Sequence, residues 1–178
     1  IGPAISVTQV RSMLRMAVRL DAPLLNMVIQ LNHQLWQDTS PMQFVTAWFG
    51  RLHTDTGVID SIAAGHGPML LIRDNGAVTV LEADVPPLGV IDTLMATETI
   101  PIHIEPGDLL AIPTDGIIEA MLDDGTMYGQ DRLVDLLVAG RNRPLPELLQ
   151  HLREDCEGFR PGLPAQDDRT ILAIHRKA

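Results

Sequence analysis

Two hydrophobic periods follow one another along this chain. Over residues 4–20, Val7, Val10, Leu14, Ala17 and Val18 fall close to the helical repeat and predict a helix. Ile1-Gly2-Pro3-Ala4 before it reads as the middle of a loop. Asp21-Ala22-Pro23 stops this helix and starts a second, with Asp21 or Ala22 near the cap and Pro23 in the first turn. The second helix runs to about Gln37, and Leu24, Val28, Leu31 and Leu35 form its inner stripe. From there the pattern changes to strands: Phe44–Leu52, Val58–Ala64, Met69–Ile72, Ala77–Leu81, Thr97–Ile104 and the wholly apolar Leu109–Pro113. Turn residues separate them. His53-Thr54-Asp55-Thr56-Gly57 closes the first, Asn75-Gly76 is a hairpin signal, Pro86-Pro87-Leu88-Gly89 is a loop and Glu105-Pro106-Gly107-Asp108 a tight turn. Helices at about 131–139 and 146–157, a loop over Gly158–Gln166 and a last strand Thr170–His175 complete the reading. Hairpins followed by helices predict an antiparallel α+β domain.

Composition narrows the class. The 178 residues suit one domain with a core of its own. Aromatic residues make up 3%, so that core is aliphatic. The net charge of −10 repels nucleic acid and anionic membranes. No apolar run is long enough to span a bilayer, and Arg11, Arg15 and Arg19 interrupt the early apolar segment that a signal peptide would need. A single cysteine, Cys156, forms no internal disulfide and fits a reducing compartment.

Two acidic motifs carry the candidate chemistry. Thr114-Asp115-Gly116 directly follows the apolar strand Leu109–Pro113, and Asp167-Asp168-Arg169-Thr170 directly precedes the apolar strand Ile171–Ile174. Each puts a short carboxylate at the end of a buried strand, and carboxylate oxygens suit hard ions such as Mg²⁺ and Mn²⁺. Strands lying side by side would bring both to one site. Each motif alone is also an ordinary turn or cap, so their company is what counts.

That company resembles a family. Phe44-Val45-Thr46-Ala47-Trp48-Phe49-Gly50, Ala63-Ala64-Gly65-His66-Gly67-Pro68, Pro87-Leu88-Gly89-Val90, Pro106-Gly107-Asp108-Leu109-Leu110, Thr114-Asp115-Gly116-Ile117-Ile118-Glu119-Ala120, Tyr128-Gly129 and Asp167-Asp168-Arg169-Thr170 occur in the order found in bacterial PP2C-like (PPM) serine/threonine phosphatase domains of the SpoIIE/RsbU type. The resemblance implies an α+β fold, an α/β/β/α sandwich of two antiparallel sheets flanked by helices, formed by residues 1–178 as a single domain. It implies hydrolysis of phosphoserine or phosphothreonine with two Mn²⁺ or Mg²⁺ ions, which make hydroxide available from a bound water and neutralise phosphoryl oxygens. By position, Asp115 and Asp167 act through metal-bound water. Asp115, Gly116, Asp167 and Asp168 form the metal set, with Asp168 either a ligand or an outer partner and Gly116 letting the backbone turn closely beside the ions. His66 and Glu119 are candidate outer partners.

The family's first metal-binding segment, an aspartate shortly before glycine-histidine-glycine, would end near Ile1–Ala4, and this chain has no such aspartate there. The opening strands of the family pattern are missing too. The chain then reads as N-terminally incomplete, with weak Mn²⁺ binding on its own. The resemblance further implies a phosphorylated regulatory protein as substrate, of the anti-sigma-factor-antagonist type, an upstream sensor or receiver domain, a cytoplasmic setting, and scope for a homodimer through an exposed sheet edge. The alternative is a pseudophosphatase that binds a regulator without hydrolysis.

The remaining candidates read as structural. His33 and His53 belong to the surface, and no histidine pair has the spacing of a zinc site. Cys156 sits on a predicted helix without a local histidine, and Ser6, Ser12, Ser40 and Ser61 lack a nucleophile elbow. Asp123-Asp124-Gly125 and Asp74-Asn75-Gly76 are turns.

Overall fold

The computed structural model describes residues 2–38, 43–96, 98–161 and 167–177, with side chains from residue 7 onwards. In chain order the elements are α1 (Gly2–Arg19), α2 (Leu24–Asp38), β1 (Ala47–His53), β2 (Val58–Ala64), β3 (Met69–Ile72), β4 (Val78–Leu81), β5 (Ile100–His103), β6 (Leu109–Pro113), α3 (Asp115–Ile118), α4 (Gln130–Gly140), α5 (Leu145–Phe159) and β7 (Ile171–His175). Backbone contacts group them into two compact units, residues 1–66 with 82–103 and residues 67–81 with 104–178.

In the first unit β1, β2 and β5 form a three-stranded antiparallel sheet with β2 in the centre. Leu24, Val28, Leu31 and Leu35 recur on one face of α2 and are buried with Phe49 and Ile62 of the sheet. Val10, Met13 and Leu14 of α1 pack against the same cluster. Asp21, with φ of 49°, turns the chain between the helices, and Arg51 ties β1 to this turn by donating to the Ala22 carbonyl at 2.7 Å.

Asn32 is fully buried among these leucines. Its Nδ2 donates to the carbonyls of Ile91 and Asp92, both at 2.9 Å, and its Oδ1 accepts the Gly89 N–H at 3.0 Å. One amide side chain thus satisfies three backbone groups of the Pro-Leu-Gly loop, which makes its burial tolerable.

The second unit is built on a four-stranded antiparallel sheet in the order β4-β3-β6-β7. β3 and β6 are buried along their whole length, which is why both are continuous apolar runs. Leu133 and Leu137 of α4 and Leu148 and Leu152 of α5 fill the core beside Leu70, Ile72 and Leu109. A charged node closes one end of this sheet. Asp108, 2% exposed, accepts from Arg73 Nη1 at 2.7 Å, from the Glu105 N–H at 2.9 Å and from the Asp74 N–H at 3.0 Å. Burial alone would raise this carboxyl, but the three donors outweigh it and hold it below the ordinary carboxylate range.

The α+β architecture with two antiparallel sheets agrees with the pattern of the sequence, and β2, β3 and β6 have the expected bounds. Differences lie at element ends. Gly2, Pro3 and Ala4 belong to α1 rather than to a loop; proline is tolerated in a first turn because no intrahelical partner awaits its N–H. Pro23 precedes α2 instead of lying in its first turn. β1 starts at Ala47, since Phe44 is 60% exposed and Val45 makes only an isolated bridge to Leu88. β5 is shorter than predicted, and α5 runs on to Phe159. The one-turn helix α3 has no period for a sequence pattern to show. Ile1, Ser40, Thr97 and residues 162–166 of the predicted loop lie outside the described residues.

Candidate metal centre

The candidate site grows from the end of β6. Its last residue, Pro113, pairs with Ile171, the first residue of β7, so the two acidic motifs emerge side by side from neighbouring strands. One residue on, the Thr114 N–H donates to the Thr170 carbonyl at 2.9 Å. The Thr114 hydroxyl accepts the Thr170 N–H at 3.0 Å and lies 3.2 Å from the carbonyl oxygens of both Asp168 and Thr170, to which it can donate its one proton. Gly116 then packs directly on the Asp167–Asp168 backbone: a Cβ at 116 would collide with the Asp168 carbonyl oxygen.

The carboxylates themselves are exposed. Asp115 Oδ1 accepts the Gly116 N–H at 3.0 Å, and Asp167 Oδ1 accepts the Asp168 N–H at 2.7 Å. Each motif therefore uses its following amide to steady one carboxylate oxygen. Beside Asp167 and Asp168 opens a cavity of about 560 Å³, lined by apolar Ile117, Leu152 and Ile171 and by Arg153 and Arg169. Cys156 also lines it, with a thiol pushed up by burial, as expected of a packing residue rather than a nucleophile.

The sequence-predicted residues divide. Asp115, Gly116, Asp167, Asp168 and Glu119 belong to the second unit, whereas His66 belongs to the first, half-buried just beyond β2. Glu119 is exposed; its backbone N–H closes the α3 turn on the Asp115 carbonyl at 2.8 Å. Gly116 is required by the nearness of Asp168, not by an unusual backbone angle. His33 and His53 are surface residues paired with Asp92 and Asp60. Thr114 and Thr170 are the residues that sequence reasoning passed over. Their signal was placement, one hydroxyl residue at the strand end of each acidic motif.

Among the described residues no cluster of three or more His, Cys, Asp or Glu side chains is gathered for a metal. A Mg²⁺-type site needs fewer, because this ion keeps several waters and takes one or two carboxylates. Two exposed aspartates on packed strand ends, all-oxygen and without sulfur or imidazole, fit such a hard ion. Also among the described residues, no helix is long and apolar enough to cross a membrane.

The chain is 29% identical to protein IcfG of Synechocystis over 75% of its own length and 21% of that protein's. It is 26% identical to phosphoserine phosphatase RsbP of Bacillus subtilis over 82% of its length and 34% of that protein's. It thus spans about a third or less of these relatives. In structure it resembles the SiaA-PP2C domain of Pseudomonas aeruginosa with a TM-score of 0.81 at 19% identity, over 98% of this chain and 70% of that one. The family model for stage II sporulation protein E (SpoIIE) matches residues 1–177, and the chain accordingly belongs to this family of PPM-type serine/threonine phosphatase domains with the PP2C fold.

Proposed function

We propose that this chain is the phosphatase module of a bacterial signalling protein, one PP2C domain that hydrolyses phosphoserine or phosphothreonine on a regulatory protein. The observation that carries the reading is the junction of the two acidic motifs, Gly116 seated on the Asp167–Asp168 backbone and Thr114 bonded across the same strands. Such a junction holds two carboxylates on rigid strand ends, which a precise site requires.

Asp115 and Asp167 would hold Mn²⁺ or Mg²⁺, two ions by the family pattern, with the Gly116 backbone beside them, Asp168 either a ligand or an outer partner and Glu119 an outer partner. Bound there, such ions supply a hydroxide near neutral pH and neutralise charge on the phosphoryl oxygens. The protein's own part is placement. The Gly116 and Asp168 amides orient one oxygen of each carboxylate. Exposure of the three aspartates leaves the site open to a phosphorylated side chain on another protein. Hydrolysis breaks the phosphorus–oxygen bond, returning the seryl or threonyl hydroxyl and inorganic phosphate.

The substrate favoured by the resemblance is a phosphorylated anti-sigma-factor antagonist, with an upstream sensor or receiver domain controlling the module in the cytoplasm. The decisive test is hydrolysis of an aryl phosphate with Mn²⁺ and with chelator, in this chain and in one extended upstream. Mn²⁺-dependent turnover lost in Asp115→Ala is the expected result. No turnover in either form would transfer the domain to regulator binding without catalysis.

A further inference from the structure

We propose that Thr114 is a positioning residue whose hydroxyl sets the separation between Asp115 and the Asp167–Asp168 turn; this rests on the metal-site reading above. Thr114 stands at the N-cap of α3 with extended backbone angles, φ −87° and ψ 159°. A threonine there ordinarily turns its hydroxyl inward to accept a helix N–H. Here it makes no such bond. The hydroxyl points across the sheet instead, accepting the Thr170 N–H and facing the Asp168 and Thr170 carbonyls.

The Asp168 carbonyl oxygen is the key atom. The Thr114 hydroxyl lies 3.2 Å from it, and Gly116 is pressed against it from the other side of the motif. Residues 114 and 116 therefore both seat on one carbonyl, and the residue between them carries the carboxylate. The regular β6–β7 pairing ends at Pro113 and Ile171. Beyond it, the Thr114–Thr170 backbone bond and this hydroxyl are what tie the two acidic turns together among the described residues. A bond that served only the strands would not need to reach Asp168.

The inference separates from simple stabilisation by comparing Thr114→Val, which keeps the shape, with Thr114→Ser, which keeps the hydroxyl. Mn²⁺ affinity is measured by titration calorimetry into the millimolar range, and melting temperature without metal in parallel. Thr114→Val should weaken Mn²⁺ binding by about 10-fold, the lower end for a residue acting through ligands. Thr114→Ser should bind as the unaltered chain does, and both should melt within a few degrees of it. Unchanged Mn²⁺ affinity in Thr114→Val, or equal losses in both variants, overturns the assignment. Asp115→Asn is the control. If it too leaves Mn²⁺ binding intact, the metal-site reading itself fails and takes this inference with it. Should Thr114→Val not fold, hydrogen exchange of the unaltered chain decides. Saturating Mg²⁺ should slow exchange at the Thr170 amide, because coupling between metal and hydroxyl is reciprocal. An unaffected Thr170 rate would reject it.

Discussion

The backbone carbonyl of Asp168 occupies the space that a Cβ on residue 116 would need. Gly116 is buried and its backbone is not in the left-handed region, so closeness alone demands glycine. Gly76 shows the contrasting case, with φ of 86° in the β3–β4 hairpin and no neighbour nearer than 3.7 Å to an added Cβ. Gly116→Ala should force the β6 and β7 ends apart. We expect a stability loss of about 1–3 kcal/mol, the usual cost of overpacking, and a fall in Mn²⁺ affinity beyond what the melting shift implies. Denaturant titration with calorimetry checks both, and an alanine variant that binds Mn²⁺ normally would show that the approach has no bearing on the site.

Much of this was legible in the sequence because strand interiors and turns leave strong local signals. Met69–Ile72 and Leu109–Pro113 are bare apolar runs, and Asn75-Gly76 forms the turn its residues demand, Asn75 Oδ1 accepting the Ala77 N–H at 2.9 Å. The roles of Thr114 and Asn32 were not legible. Both depend on partners far along the chain, Asp168 and Thr170 for one and Gly89 to Asp92 for the other. Polarity at a single position says nothing of such partners. Asn32 even lies next to Leu31 on a helix whose inner face is an apolar stripe in the sequence, and its burial follows only from the loop folded over it.

Asn32→Leu is expected to be costly although it makes the site more apolar. It would strand the Ile91 and Asp92 carbonyls and the Gly89 N–H without their partner. A loss of about 3 kcal/mol is expected from unmatched buried groups of this kind. Urea unfolding would register it, and amide exchange at Gly89 should quicken. A leucine variant as stable as the parent would mean the loop finds water instead.

Asp108 makes acid stability testable. Its folded carboxyl lies below the ordinary aspartate value of 3.8, so the stability it confers is present above that value and is lost as pH falls through the lower, folded one. Melting temperature should therefore drop on acidification below about pH 4, and Asp108→Asn should flatten this part of the profile. Asp108→Ala should cost about 3 kcal/mol at neutral pH, because it also leaves the Glu105 and Asp74 amides without their acceptor. Parallel acid profiles for the parent and the asparagine variant would assign the acid sensitivity to other carboxylates.

Asp167 and Asp168 are adjacent, both exposed and chemically alike, yet the fold uses them differently. Asp168 contributes its main chain: the N–H bonds the Asp167 carboxylate, and the carbonyl meets Thr114 and Gly116. All of that survives in Asp168→Ala. Asp167 contributes its side chain, held in place by that very amide. Asp167→Ala should therefore weaken Mn²⁺ binding more than the 10–100-fold typical of a residue behind the ligands, while Asp168→Ala should stay at about 10-fold or less. Both positions are exposed, so melting without metal should scarcely move in either. Calorimetric titration of the two variants side by side gives the ranking directly. Equal losses would make Asp168 a ligand in its own right, and a reversed order would mean that its side chain, not that of Asp167, faces the ion.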